Sequence, residues 1–166
     1  MGNSLNTRYY PARVVLVQGA PSQVLAIAGE VFMARGFRAA RSLDETTREF
    51  EIGSAAREFW LGDSLIGRLL PGRTRALVVH GFAVAQVRPS ETSDAGHPET
   101  WLTISSVNGL ETHIDVGEVI EECLAYFRRT ATLRDAGEII SGLDLPVESP
   151  CNPKGYRSWK KAQRRR

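Results

Sequence analysis

Ala76-Leu-Val-Val-His-Gly-Phe-Ala-Val-Ala-Gln-Val87 is the most apolar run in the chain, and Trp101-Leu-Thr-Ile-Ser-Ser-Val107 follows it after a polar interval. Both are rich in β-branched and aromatic residues and are bounded by Gly, Pro and Asn108-Gly109, the composition of strands closed by turns. As a single strand, Thr74 to Pro89 would reach about 50 Å, far beyond the usual length. The run therefore predicts a hairpin folded near His80-Gly81, or a strand bent sharply at Gly81. Ser90 to Thr100 reads as a polar loop. The two strands are expected in the middle of an antiparallel sheet.

Upstream, Arg13-Val-Val-Leu-Val-Gln18 is a first strand between Pro11 and Gly19. Val24, Ile27, Ala28, Val31 and Phe32 then recur at helical spacing and give one apolar face. Pro21 or Ser22 suits the first turn of that helix, and Arg35-Gly36 suits its end, with Phe37 packing back on the last turn. Arg38 to Leu43 and Thr47 to Gly53 predict a strand pair. In the second of these, Phe50 and Ile52 alternate with Glu49 and Glu51, the mark of a half-buried strand. Residues 54–73 fit either a helix or a strand near 55–61, followed by an apolar loop.

Downstream, Val116, Val119, Ile120, Cys123, Leu124 and Phe127 follow the i, i+3, i+4 pattern of an amphipathic helix. Asp115 is the expected N-cap with Glu118 three residues on, and Arg128-Arg129 suit the carbonyl end. A short helix is expected over Leu133 to Ile140, stopped by Gly142. Beyond Leu145, three prolines and no periodic apolar face predict a disordered tail over 146–166.

The fold class that follows is α+β: a curved antiparallel sheet covered on one face by two main helices, in one domain over 8–145. The order strand, helix, four strands, helix across 13–129 resembles the β-α-β4-α arrangement of TATA-binding-protein-like and helix-grip folds. The resemblance lies in element order, so it implies an architecture and no activity.

Charge divides the chain. The last 13 residues hold 7 of its 21 basic side chains and no acid, leaving 14 basic against all 19 acidic residues elsewhere. An acidic body with a basic end is the informative description. Two cysteines, Cys123 and Cys151, are too few for a disulfide framework, and Cys123 falls on an apolar helical stripe. No apolar run approaches the roughly 20 residues of a membrane span. The first residues lack a signal-peptide core, and Asn6 stands where an acylation signal needs Ser or Thr, so a cytoplasmic location is expected.

Catalytic and cofactor motifs are missing. His80, His97 and His113 lack the paired spacing of zinc ligands, so no metal is expected. His113 stands two residues before the expected cap, where a local hydrogen bond suits it. Gly62 to Arg68 has arginine and leucine where a phosphate loop needs lysine and Ser/Thr, and no other cofactor motif occurs. Ser105 and Ser106 lie near His113 and Asp115 in sequence, yet no nucleophile elbow surrounds them, and solvent-facing strand serines are the favoured reading. Glu118, Glu121 and Glu122 read as a solvated helix face, or as a dock for a basic partner such as the chain's own tail.

Two surfaces remain as candidate binding sites. Trp60, Leu65, Ile66, Leu69 and Leu70, in the apolar loop 59–70, can line a sheet–helix groove for a protein partner or a small apolar ligand. The same loop can instead close the core, or be covered by a second subunit in a homo-oligomer. The second surface is Lys154, Tyr156, Arg157, Trp159, Lys160, Lys161, Arg164, Arg165 and Arg166, where cations neutralise phosphates and aromatics stack on unpaired bases. The leading expectation is a non-catalytic binding or adaptor domain using the groove and loop. The alternatives are a nucleic-acid-associated protein using 154–166, and an enzyme of unrecognised type. His80 decides between scaffold and site within the opening stretch, if it has an acid beside it at a pocket.

Overall fold

A computed structural model describes residues 9–53, 80–92, 96–108 and 112–163. Among these, seven strands form one open antiparallel sheet: β1 (Pro11–Gln18), β2 (Arg38–Asp44), β3 (Thr47–Ile52), β4 (Gly81–Pro89), β5 (Glu99–Asn108), β6 (Leu133–Asp135) and β7 (Ile139–Ser141). The order is β2-β3-β4-β5-β1-β6, with β7 also paired to β1. The helices are α1 (Pro21–Ala34), α2 (Thr112–Arg129) and α3 (Pro153–Gln163).

The two main helices, α1 and α2, cover one face. Side chains alternate across a strand, so Ala83, Ala85 and Val87 of β4 meet Val24, Leu25, Ala28 and Phe32 of α1 together with the whole predicted stripe of α2. Phe32 stacks on Phe50 of β3 at 4.2 Å and meets Phe37 edge-on at 5.1 Å. The end of α1 explains the second contact. Gly36 N–H donates to Met33 and Phe37 N–H to Phe32, the paired bonds of a Schellman ending, and they swing Phe37 back onto the helix. The central β4–β5 pairing joins Ala85 to Ile104 and Val87 to Leu102. Gly81, the expected bend, opens β4; whether the run before it forms a hairpin lies outside the described residues.

Four expectations are corrected. Helix α2 begins at Thr112, so Asp115 sits buried within the first turn rather than at the N-cap; an acid there still suits the helix dipole. Residues 133–140 form two short strands, not a helix. Gly137 takes φ 57°, and a Cβ there would lie 2.1 Å from the Val14 carbonyl oxygen. The edge of β1 is paired by the two strands, Leu16 with Asp135 and Ala12 with Ile140, and an edge open to pairing outweighs weak local helix propensity. Ser105 and Ser106 are buried, not solvent-facing. The Ser106 hydroxyl lies 3.4 Å from that of Thr112, and Ser105 packs where Gly142 leaves room for it.

The fourth correction concerns the tail. Residues 141–163 return across the sheet face that α1 and α2 leave open. Val84 and Val107, which point away from the two main helices, pack with Cys151 and Tyr156, and Phe82, Leu145 and Trp159 border them. The start of α3 is fixed by Asn152-Pro153. Asn152 Oδ1 accepts from Lys154 N at 2.8 Å, its Nδ2 donates to the Leu145 carbonyl at 2.7 Å, and Pro153 needs no N–H partner in the first turn. Cys123 and Cys151 are both free and lie in the two separate cores.

Candidate functional site

The far side of the sheet carries the most concentrated polar chemistry among the described residues. Glu49, on β3, alternates with the core residue Phe50 and so points away from the main helices. It is only 2% exposed, because α3 lies over it. The Tyr156 hydroxyl donates to Glu49 Oε1 at 2.5 Å, and Lys160 Nζ reaches the same oxygen at 2.8 Å. That ammonium also sits 3.6 Å from the centroid of the Phe82 ring, a cation–π contact. Burial, and then the Glu49 carboxylate, push the Tyr156 phenol well above its ordinary range, so Tyr156 stays a donor.

Glu51 lies two residues on, on the same side of β3. His80 Nε2 is 2.9 Å from its Oε1, while Arg38 Nη2 and Nε donate to Oε2 at 2.8 and 3.1 Å. Burial raises this carboxyl, but the bonds from His80 and Arg38 outweigh it and hold Glu51 below the usual carboxylate range. His80 thus has an acid beside it, but it does not itself line the adjoining cleft, as its reading as a site residue also required. Both carboxylates line a cleft of about 350 Å³ whose other walls include Arg41, Phe82, Trp159 and Gln163. Each carboxylate is held by two partners. Glu49 fastens α3 to β3, whereas Glu51 ties β3 to Arg38 of β2 and to His80 just before β4.

The outer face of α3 is different. Lys154, Arg157, Ser158, Lys161 and Ala162 are exposed, whereas Tyr156 is buried and Trp159 and Lys160 are half-buried. The spacing 154, 157, 161 places three cations on one stripe. Tyr156, expected as a stacking residue, is buried against the sheet, and Trp159 and Lys160 are half-buried on the same inner face of the helix. Arg164, Arg165 and Arg166 lie outside the described residues, as do Trp60, Leu65, Ile66, Leu69 and Leu70.

The acidic face of α2 docks arginines of the body rather than the tail. Arg35 meets Glu118 at 2.7 Å and Glu122 at 2.5 Å, and Arg13 meets Glu121 at 3.0 Å. Helix α3, on the opposite side of the sheet, is remote from these acids. The space between the sheet and the main helices is packed with Phe32, Phe50, Leu102, Ile120, Leu124 and Phe127. A larger cleft, about 580 Å³, opens on the far side where Trp101, Arg88 and Thr103 face Leu145 and Pro146.

Among the described residues no group of three or more His, Cys, Asp or Glu is arranged to hold a metal ion. No described helix is long and apolar enough to cross a membrane. No protein family matches the chain, and neither a curated protein nor a solved structure does.

Proposed function

We propose that the protein is a binding module that associates with nucleic acid through the outer face of α3. One observation carries the reading: Lys154, Arg157 and Lys161 stand exposed on a single stripe of a helix anchored by its opposite face. Anchoring matters because an ordered stripe presents its charges together, at less entropic cost than a loose tail. The sequence continues the same charge through Arg164, Arg165 and Arg166. The acids of α2 lie across the sheet and orient the molecule, so that its α3 side approaches a polyanion.

The test is fluorescence anisotropy with a labelled oligonucleotide of about 20 nucleotides at about 50 and 200 mM salt, a range over which phosphate contacts weaken steeply. The triple variant K154E/R157E/K161E is expected to lose binding while keeping the wild-type circular dichroism spectrum. Unchanged affinity in that variant would overturn the proposal.

The cleft beside Trp101 favours a second reading, a site for a small apolar ligand or for a segment of a protein partner. Half-buried aromatic and proline side chains line such sites. Binding of an environment-sensitive apolar dye that survives Trp101→Ala would remove this reading.

A further inference from the structure

We infer that α3 holds nucleic acid by its phosphates alone, so that a duplex is bound as well as a single strand and base sequence is not read. The inference rests on the nucleic-acid reading above and names the form of the ligand. It comes from what the outer face of α3 lacks. Sequence-tolerant binding of single strands combines cations with aromatic platforms on which bases stack. Neither aromatic of this helix lies on the stripe: Tyr156 is buried with Val84, Val107 and Cys151, and the half-buried Trp159 borders that cluster on the inner face, where it lines the cleft that also holds Glu49 and Glu51. What remains outside, among the described residues of α3, is Lys154, Arg157, Ser158, Lys161, Ala162 and Gln163.

The same composition argues against the other anionic partners. A helix that lies on a membrane buries an apolar face among the lipids, and the apolar face of α3 is spent on the sheet. A protein interface draws its energy from aromatic and aliphatic anchors in a desolvated centre, and this stripe carries no large apolar side chain. Phosphates require only fixed positive charge. At 1.5 Å per residue, Lys154 to Lys161 span about 10 Å of helix, which matches the rise of about three successive phosphates of one strand. The acidic cluster Glu118, Glu121 and Glu122 is across the sheet and paired with arginines, and beside α3 the exposed Glu148 stands in the turn that touches Gly155.

The experiment uses the full chain with a duplex and a single strand of equal length, two unrelated sequences of each, a polyglutamate peptide, and vesicles containing phosphatidylserine. Duplex and single strand are expected within about threefold of one another, with sequence changing neither. Replacing Lys154, Arg157 and Lys161 by Gln is expected to flatten the slope of log affinity against log salt by about 3, one for each phosphate no longer neutralised. Trp159→Leu keeps an apolar inner face and is expected to leave the single-strand affinity within about twofold. A preference for single strands of about tenfold or more that disappears in Trp159→Leu would overturn the phosphate-only inference and leave the nucleic-acid reading standing. Absence of binding to both nucleic acids would overturn both. Vesicles or polyglutamate binding more tightly than the duplex would also overturn both.

Discussion

The Tyr156 hydroxyl donates to Glu49 at 2.5 Å across a sequence separation of 107 residues, and it does so inside the protein. Neither group is more than 2% exposed, and Lys160 is the other partner of the same oxygen. Tyr156→Phe keeps the ring and its packing but withdraws the donor from a buried carboxylate. Lys160 still holds the carboxylate, so the loss is that of one hydrogen bond to a charged group, about 1.5–3 kcal/mol, read from urea unfolding at neutral pH. Glu49→Gln in the same background tests the pairing, because the second change is expected to cost less once the hydroxyl has gone. Strict additivity of the two would separate Tyr156 from Glu49 energetically.

Cys151 reports whether α3 is docked. It lies beneath the helix with Tyr156, whereas Cys123 lies in the core on the other side of the sheet. Burial pushes both thiols up to about 12, so neither forms thiolate at neutral pH in the native state. The native protein is expected to react with a thiol reagent only on unfolding. Glu49→Ala, which removes the acceptor for both Tyr156 and Lys160, is expected to raise the labelling rate at Cys151 at least tenfold, the effect of roughly 1.4 kcal/mol on an opening equilibrium. Cys123 is expected to stay protected, as mass mapping of the labelled peptide shows. Equal acceleration at both cysteines would mean global rather than local opening.

The sheet and its two main helices were legible because their signals are local. Period-2 alternation over 47–52, period-3.6 stripes over 21–34 and 112–129, and turn residues between them all point to one layered arrangement. What the sequence concealed was the second layer of cover. Glu49 and Glu51 alternate with Phe50 and Ile52, and alternation places the acids on a solvated face; only the return of the chain, with Tyr156 107 residues after Glu49, buries one of them. The sign of that return was present in Asn152-Pro153, a cap followed by a residue suited to the first helical turn, and in Tyr156, Trp159 and Lys160 at helical spacing. A run of cations and prolines outweighed those few residues. The strands at 133–141 were hidden for another reason: their partner is the edge of β1, and edge pairing leaves no periodicity in a segment of three residues.

Glu51 makes stability depend on acid. Its bonds to His80 and Arg38 lower its folded-state pKa relative to the unfolded chain. A group depressed on folding contributes stability above its unfolded value, about 4.3 for glutamate, and loses it as pH falls through the folded value. The wild type is therefore expected to lose stability steadily below about pH 4.3, and Glu51→Gln is expected to lose less over the same interval while starting lower at pH 7. Urea midpoints at pH 7 and near pH 3 measure the difference. A variant as acid-sensitive as the wild type would assign the acid limb to other carboxylates.

Gly155 sets two physical effects against each other. In the interior of a helix, glycine to alanine is expected to stabilise by about 1 kcal/mol. Here a Cβ would lie 2.3 Å from the Val147 carbonyl oxygen and 2.4 Å from that of Ser149. Both are backbone atoms of the turn that carries the chain into α3, so no side chain can swing aside to make room. The turn is held by bonds from Ser149 N to Pro146 O and from Asn152 N to Ser149 O, and the helix is held by Glu49. Steric exclusion is expected to win: Gly155→Ala should lower stability by about 1–3 kcal/mol, the range for overpacking a close contact. It should also speed labelling of Cys151, since α3 must lift to admit the methyl group. A gain in stability would show that helix propensity governs this position, and that α3 lies farther from the 147–149 turn than these distances place it.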